Sequence, residues 1–313
     1  MATAQVISPT RPNGVSSAPN GYVGRFAPSP TGPLHFGSLV AAVASYVDAR
    51  AAGGQWLLRI EDVDKPRCTG VAEAEILRQL ACYGFEHDGA IMRQSQRSGH
   101  YEAALARLAA SGQTFACTCT RRMLESALHN AEGEAIYPGT CRRAAHHAHT
   151  HSLRLRVGEH NATQISFTDR ACGTVSQDVA LDVGDFVLRR ADGLYAYQLA
   201  VVADDAFQGI TDVVRGADLL LNTPRQIFLQ RCLGVASPRY LHVPLVRNAA
   251  GEKLSKQTQA AAISSDNVIE TLRAAWSFLR QADIGQVESV SAFWRVAITL
   301  WNADRCVSRA QNL

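Results

Sequence analysis

Lysine is almost missing from this chain. Of 31 basic side chains only Lys65, Lys253 and Lys256 are lysine, and two of these share the short run KLSK. A chain that otherwise writes arginine keeps a compact ammonium there, which points to a role the broad guanidinium fork does not fill. Long apolar runs are also missing: none approaches the roughly 20 residues of a membrane span. Residues 1–20 lack the basic start and apolar block of a secretory signal. Their Ser, Pro, Asn, Thr and Ala predict a disordered leader on a soluble, cytoplasmic chain. Eight cysteines in 313 residues are too few for a disulfide-dense secreted scaffold. Cys68, Cys82, Cys172, Cys232 and Cys306 stand singly and read as reduced thiols, whereas Cys117, Cys119 and Cys141 stand close enough to act together. A net charge of +3 is too small to establish a nucleic-acid partner. Its distribution says more. Between Cys117 and Arg156, six Arg against three Glu carry an excess equal to that of the whole chain, with His146, His147, His149 and His151 in the same segment. A solvated basic loop and a phosphate-binding face both fit that segment.

The chain is organised around Arg25 to Ser38, RFAPSPTGPLHFGS. A β-like run, Gly21 to Phe26, enters a stiff Pro-rich elbow that cannot join a sheet ladder. The elbow opens onto an apolar helix from Phe36 to Arg50. Backbone N–H groups and the positive helix end beside His35 and Ser38 make a natural anion site. Gly53 and Gly54 stop the helix, and Gln55 to Ile60 read as a buried strand ending in Glu61 and Asp62. Strand, helix and strand form a right-handed parallel unit, with ligands expected at the strands' carboxyl ends. Helices are expected over Val71 to Tyr83 and His100 to Ala110. The polar stretch that follows interrupts the α/β alternation and reads as an insertion, with short strands over Ser152 to Val157 and Gln164 to Asp169. After Gly184, Asp185 to Arg190 and Leu194 to Val202 flank Ala191-Asp192-Gly193, a hairpin signal. A strand over Ile210 to Val214, a helix capped by Thr223 with Pro224, a strand over Leu241 to Arg247 and the KLSKQ loop complete the second half. The last fifty residues read as amphipathic helices anchored by Trp276, Phe278, Phe293, Trp294 and Trp301.

Three constellations carry chemistry. His35 stands at a strand-to-helix switch, where developing phosphate charge is stabilised, although a lone His beside a Gly is ordinarily structural. Arg25, Ser29 and Glu61 lie at two adjacent strand ends, with Tyr197 and Arg215 arriving from the second half. Two Arg in one pocket suit a substrate with two carboxylates, and Glu61 suits its ammonium. Surface pairing of Arg59, Glu61 and Asp64, and ordinary hairpin packing of Tyr197, are the competing readings. Cys117-x-Cys119 with Cys141 suits a tetrahedral zinc; for the fourth ligand, His129, His146 and His147 are the chemically ordinary choices and Tyr137 an unusual one.

PSPTGPLHFGS resembles the HIGH signature of class I aminoacyl-tRNA synthetases, with HFGS for HIGH and Ser38 where the second His stands. KLSKQ, a weak match alone, resembles the KMSKS loop of the same class, with Gln257 for the final Ser; the two motifs lie about 220 residues apart in the right order. RFAPSPTG, RIEDVDKPR and GDFVLRRADGLYAYQLAVVADD are similar to the glutamyl-tRNA synthetase branch over roughly residues 21–260. The Cys-x-Cys and Tyr-x-x-x-Cys pattern resembles glutamyl-queuosine-tRNA(Asp) synthetases, a short paralogous family whose zinc ligands are Cys, Cys, Tyr and Cys in this arrangement.

The resemblance implies an α/β, class I synthetase-like Rossmann (HUP-type) parallel-sheet domain with a zinc-bearing α+β insertion and a short helical C-terminal region. The expected divisions are a leader at 1–20, Rossmann halves at 21–90 and 183–260, an insertion at 91–182 and helices at 261–313. Only 56 residues follow Gln257, so no long anticodon-binding module is expected. The implied catalytic residues are His35, Ser38, Lys253 and Lys256, with His35, Gly37 and Lys256 on ATP. Arg25, Phe26, Ala27, Pro28, Ser29, Glu61, Tyr197 and Arg215 would bind L-glutamate. Cys117, Cys119, Tyr137 and Cys141 would hold one structural zinc. ATP with Mg²⁺ and queuosine-bearing tRNA(Asp) are the further partners, and a monomer is expected. A truncated enzyme charging tRNA(Glu), and a retired synthetase that only binds RNA, are the rivals.

Overall fold

The run ahead of the elbow forms β1 (Val23–Phe26), and the elbow delivers the chain into α1 (Phe36–Ala51). The computed structural model describes residues 21–130, 133–144, 151–158, 161–247 and 261–306. β2 (Gln55–Ile60) returns parallel to β1, with Arg25 opposite Leu57, and β3 (Met92–Arg93) adds a third parallel strand. Between them α2 (Gly70–Cys82) is capped by Thr69, whose hydroxyl accepts from the Ala72 amide. α1 is buried along nearly its whole length. It packs on the sheet on one side and on two C-terminal helices, α7 (Val268–Phe278) and α8 (Val290–Leu300), on the other. A helix covered on two sides needs small apolar residues all round, and VAAVAS supplies them.

A second sheet runs β7-β6-β10-β9. Its strands are β6 (Gln164–Asp169), β7 (Gly173–Asp178), β9 (Asp212–Gly216) and β10 (Arg239–Val243). β6, β10 and β9 are parallel, and β7 closes an antiparallel hairpin on β6. The two sheets meet where β1 and β9 begin: the Thr211 amide donates to Val23 O at 2.9 Å, and the Val23 amide to Thr211 Oγ1 at 2.8 Å. From that shared start the carboxyl ends of β1 and β9 carry Arg25 and Arg215 to the same cavity. A third, antiparallel sheet joins β4 (Thr114–Cys117), β5 (Ser152–Leu155) and β8 (Val187–Arg189). The sheets therefore exchange strands across the border expected at 182/183: β6 precedes it yet pairs with β10, with β7 on its other edge, while β8 follows it and pairs with β5.

The remaining helices are α3 (Ser98–Ala110), α4 (Val179–Asp182), α5 (Tyr197–Gln208) and α6 (Thr223–Leu233). α5 corrects the hairpin expectation. The turn at Gly193 is present, with φ of 86°, but pairing beyond it is confined to a bridge between Arg189 and Tyr195. The chain enters a helix at Tyr197 and leaves it at Gly209 in the left-handed region. Leu199 to Val202 are buried on consecutive positions, a pattern that a buried helix and a buried strand share. The cap of α6 also shifts by one residue: Asn222 holds the cap position, and Thr223 is the first helical residue. A 3-10 turn, Ala217–Asn222, runs straight into α6, which frees the Thr223 hydroxyl for Arg215. No described helix is long and apolar enough to cross a membrane.

Candidate functional site

A cavity of about 560 Å³ opens at the carboxyl ends of β1 and β9. Its lining includes Arg25, Phe26, Ala27, Pro28, Ser29, His35, Ser38, Glu61, Tyr197 and Arg215. The structure thus gathers the whole expected glutamate set into one place, with His35 and Ser38 on its rim. The elbow is pinned to β2, since the Glu61 amide donates to Pro28 O at 3.0 Å. The Thr69 amide donates to Pro30 O at 3.1 Å and ties the elbow to the start of α2.

His35 and Ser38 cap α1 reciprocally. The Ser38 amide donates to His35 Nδ1 at 3.3 Å, and the His35 amide to Ser38 Oγ at 2.8 Å. Ser38 Oγ donates in turn to His35 O at 2.7 Å, so this hydroxyl holds the helix start in shape. Gly37, His35 and Ser38 also line an adjoining space of about 200 Å³, with Gly216, Asp218 and residues 243–246 opposite. Lys253 and Lys256 lie outside the described residues. The chain that follows them is tied to the helix start, because Ala262 bridges His35 and the Ile263 amide donates to Leu34 O at 3.0 Å. Gln79 clamps the join from α2, accepting from the Leu34 amide at 2.7 Å and donating to Ile263 O at 3.2 Å.

Charge in the cavity is organised by α5. Asp205 accepts from Arg25 Nε at 3.2 Å and forms an ion pair with Arg59 Nη2 at 2.7 Å. Burial pushes its carboxyl up, but Arg25 and Arg59 outweigh that and hold it below the usual carboxylate range. Arg59 is fully buried rather than a surface pair, and Gln208 accepts from its Nη1 at 2.7 Å. Glu61 has the opposite balance. Among the described residues its Oε1 finds no hydrogen-bond donor and its nearest cation is Arg59 Nη2 at 3.5 Å, and burial raises its pKa despite Arg59 and Arg25. A buried carboxylate in such a place can accept a cation. Arg215 donates through Nη1 to Tyr197 Oη at 3.5 Å. The sequence pattern did not single out Asp205, and gave Arg59 only as a surface partner of Glu61 and Asp64. The available signal was the pair of acids, Asp204 and Asp205, inside an apolar run, since buried carboxylates need partners.

A larger cavity of about 1140 Å³ shares Ser29, Glu61 and Tyr197 with the first and extends to Cys117, Cys119 and Arg121. Arg67, Arg154, Arg190 and His151 are among its basic lining. At its far end the Sγ atoms of Cys117, Cys119 and Cys141 lie within 4.8 Å of one another. Cys119 and Cys141 are 3.6 Å apart, close to the roughly 3.8 Å that two thiolates on a tetrahedral zinc at about 2.3 Å would show. Tyr137 Oη stands 3.4 Å from Cys117 Sγ and 3.8 Å from Cys119 Sγ, and accepts from the Cys141 amide at 2.7 Å. Burial pushes the Cys119 thiol up to about 11 and raises the Tyr137 phenol as well. The donor set fits a divalent cation that would displace these protons. Among the described residues no His joins the three cysteines; His146 and His147 lie outside them.

Residues 22–286 match the family described as tRNA synthetases class I (E and Q), catalytic domain. A relative named glutamyl-Q tRNA(Asp) synthetase from Thiobacillus denitrificans is 58% identical over 257 residues, covering 82% of this chain and 85% of that protein. One of the same name from Burkholderia cenocepacia is 53% identical over 286 residues, covering 90% and 96%. Among solved structures, the glutamate–tRNA synthetase of Elizabethkingia anophelis superposes with a TM-score of 0.72 at 22% identity, over 91% of this chain and 66% of that one, a likeness of fold. By sequence, the chain belongs to the glutamyl-Q tRNA(Asp) synthetase family of class I aminoacyl-tRNA synthetases.

Proposed function

We infer that the chain activates L-glutamate with ATP and transfers it to the queuosine base at the wobble position of tRNA(Asp). The observation that carries the activation step is the convergence of Arg25, Arg215, Glu61 and Tyr197 on one cavity beside the start of α1. The acceptor is read from the relatives' name. In the first step an oxygen of glutamate's α-carboxylate bonds to the α-phosphorus of ATP, and the bond to pyrophosphate breaks. In the second, a nucleophile of the queuosine base attacks the activated carbonyl and AMP leaves. The protein's work is positioning and charge stabilisation, with no protein nucleophile.

Arg25 and Arg215 take the two carboxylates, and Glu61 takes the ammonium. Phe26, Ala27, Pro28 and Ser29 shape the floor. His35 and the helix start, with Gly37 alongside, receive the α-phosphate; Lys253 and Lys256 follow the departing pyrophosphate. Mg²⁺ enters with ATP. Cys117, Cys119, Tyr137 and Cys141 would hold one structural zinc, whose contribution is to fix the wall of the larger cavity. The protein acts in the cytoplasm as a monomer.

The test is transfer of labelled glutamate, with ATP, to queuosine-bearing tRNA(Asp) and to tRNA(Glu), followed by location of the label. Label on the anticodon base of tRNA(Asp) alone is expected. Label at the 3′ end of tRNA(Glu) would make this a minimal charging enzyme. Tight tRNA binding with no label on either would leave an RNA-binding protein without the activity.

A further inference from the structure

Behind Arg215 lies a second layer of polar groups, His242, Asp169 and Thr223, that do not line the cavity. His242, on β10, is completely buried. Its Nε2 faces Arg215 Nε at 3.0 Å, and its Nδ1 faces Asp169 Oδ2 at 2.7 Å. Arginine only donates, so Nε2 must be the acceptor and the ring proton must sit on Nδ1, where Asp169 accepts it. Asp169, the last residue of β6, is itself held by the amides of Ala171 and Cys172, both at 2.9 Å to Oδ1. Arg215 Nη2 is occupied as well, donating to Thr223 Oγ1 at 2.9 Å and to Leu219 O at 3.4 Å. One long edge of the guanidinium is therefore consumed by the protein. What remains for the cavity is Nη1, beside Tyr197.

We propose that Asp169 and His242 are positioning residues that lock Arg215 in the rotamer offering Nη1 to a substrate carboxylate. The chain of bonds has a direction. Asp169 fixes the tautomer of His242, the neutral ring accepts from Nε, and the guanidinium cannot swing away without leaving a buried acceptor unmet. A merely packed ring would need neither the carboxylate at Nδ1 nor the arginine at Nε2. The inference rests on the reading of Arg215 as a glutamate ligand.

Three variants separate the possibilities, with KM for glutamate, KM for ATP and kcat measured for transfer to tRNA. His242→Asn keeps a donor toward Asp169 but loses the acceptor for Arg215. Its KM for glutamate is expected to rise at least tenfold, with the KM for ATP within about twofold of the parent. His242→Gln, whose longer amide can present an oxygen toward Arg215, is expected to recover most of that loss. Asp169→Asn lets the ring proton move to Nε2, against the arginine, and is expected to resemble His242→Asn. Nitrogen NMR of the parent protein gives a readout independent of folding in the variants: His242 should carry its proton on Nδ1 with Nε2 bare. A bare Nδ1, an unchanged glutamate KM in His242→Asn, or equal rises in both KM values would overturn the proposal. Arg215→Ala is the control for the underlying reading. If it leaves the glutamate KM unchanged, the assignment of Arg215 fails; if it raises the KM while His242→Asn does not, only the positioning proposal fails.

Discussion

Glu61 shows how single residues divide the labour between folding and binding. Its carboxylate lies in the cavity wall with no hydrogen-bond donor at Oε1 among the described residues, and its pKa is raised by burial. A raised carboxyl pKa means that the ionised form is less well accommodated in the folded chain than in the unfolded one. Glu61→Gln is therefore expected to stabilise the fold by about 1 kcal/mol while raising the KM for glutamate at least tenfold. Thermal melting and steady-state kinetics on one preparation check both halves, and a loss of both stability and activity would contradict the assignment. His242 gives the opposite sign. Burial, reinforced by the charge of Arg215 and opposed by Asp169 and Asp218, lowers its pKa to about 4. A histidine depressed from about 6.5 leaves the fold with its full contribution above that pH and loses it as pH falls toward 4. Between pH 7 and pH 5 the parent should lose about 2 kcal/mol more than His242→Asn, by urea unfolding at the two values. Equal losses in the two proteins would rule this out. At this scale the cavity residues were readable because Arg25, Glu61 and Arg215 end strands, where ligands sit. Asp205 and His242 were not, because each meets its partner only after folding, Asp205 across 180 residues and His242 across 73.

Elements were legible where period and punctuation agreed. Gly53 and Gly54 stop α1, and Gly84 follows α2, so strand–helix–strand could be read directly. α5 was not, because its consecutive apolar positions fit a buried strand equally well and its carboxylates look misplaced until their arginines are seen. The cysteine-bearing element has a small apolar cluster of its own. Its core is Phe115, Cys117, Tyr137 and Cys141 with partly buried Cys119 and Leu124, and it joins the rest through the β4–β5 pairing and through clamps such as Arg142 on Asp185 at 2.6 Å. One equivalent of zinc is expected by elemental analysis of the purified chain. Removal with a strong chelator should expose three titratable thiols and raise protease sensitivity around residues 117–144, leaving glutamate binding within about threefold. Loss of glutamate binding in step with zinc would place the metal closer to the chemistry than the geometry does.

Of the three sheets, the all-parallel β1-β2-β3 and the mixed β7-β6-β10-β9 meet where β1 and β9 begin and bring the carboxyl ends of those strands to one cavity. That arrangement could not be read from the sequence, because β6 pairs with β10 and β8 with β5 across intervening chain. It has a thermodynamic consequence. The cavity takes Arg25 from the first sheet, Arg215 from the second and Tyr197 from the helix between them, so a ligand bound there ties both sheets together. Asp48 of α1 does similar work on the opposite side, accepting from Tyr22, Arg170 and Trp301 at 2.5–2.8 Å. L-Glutamate at one hundred times its Kd is therefore expected to raise global stability by about 2.7 kcal/mol. L-Aspartate, one methylene shorter, cannot span the same two arginines and should shift melting far less at equal concentration. Arg25→Ala should abolish the shift by removing one anchor and leaving Asp205 to Arg59 alone. Equal shifts from the two amino acids would show that the cavity reads only the α-amino acid head group, and the second arginine would then need another role.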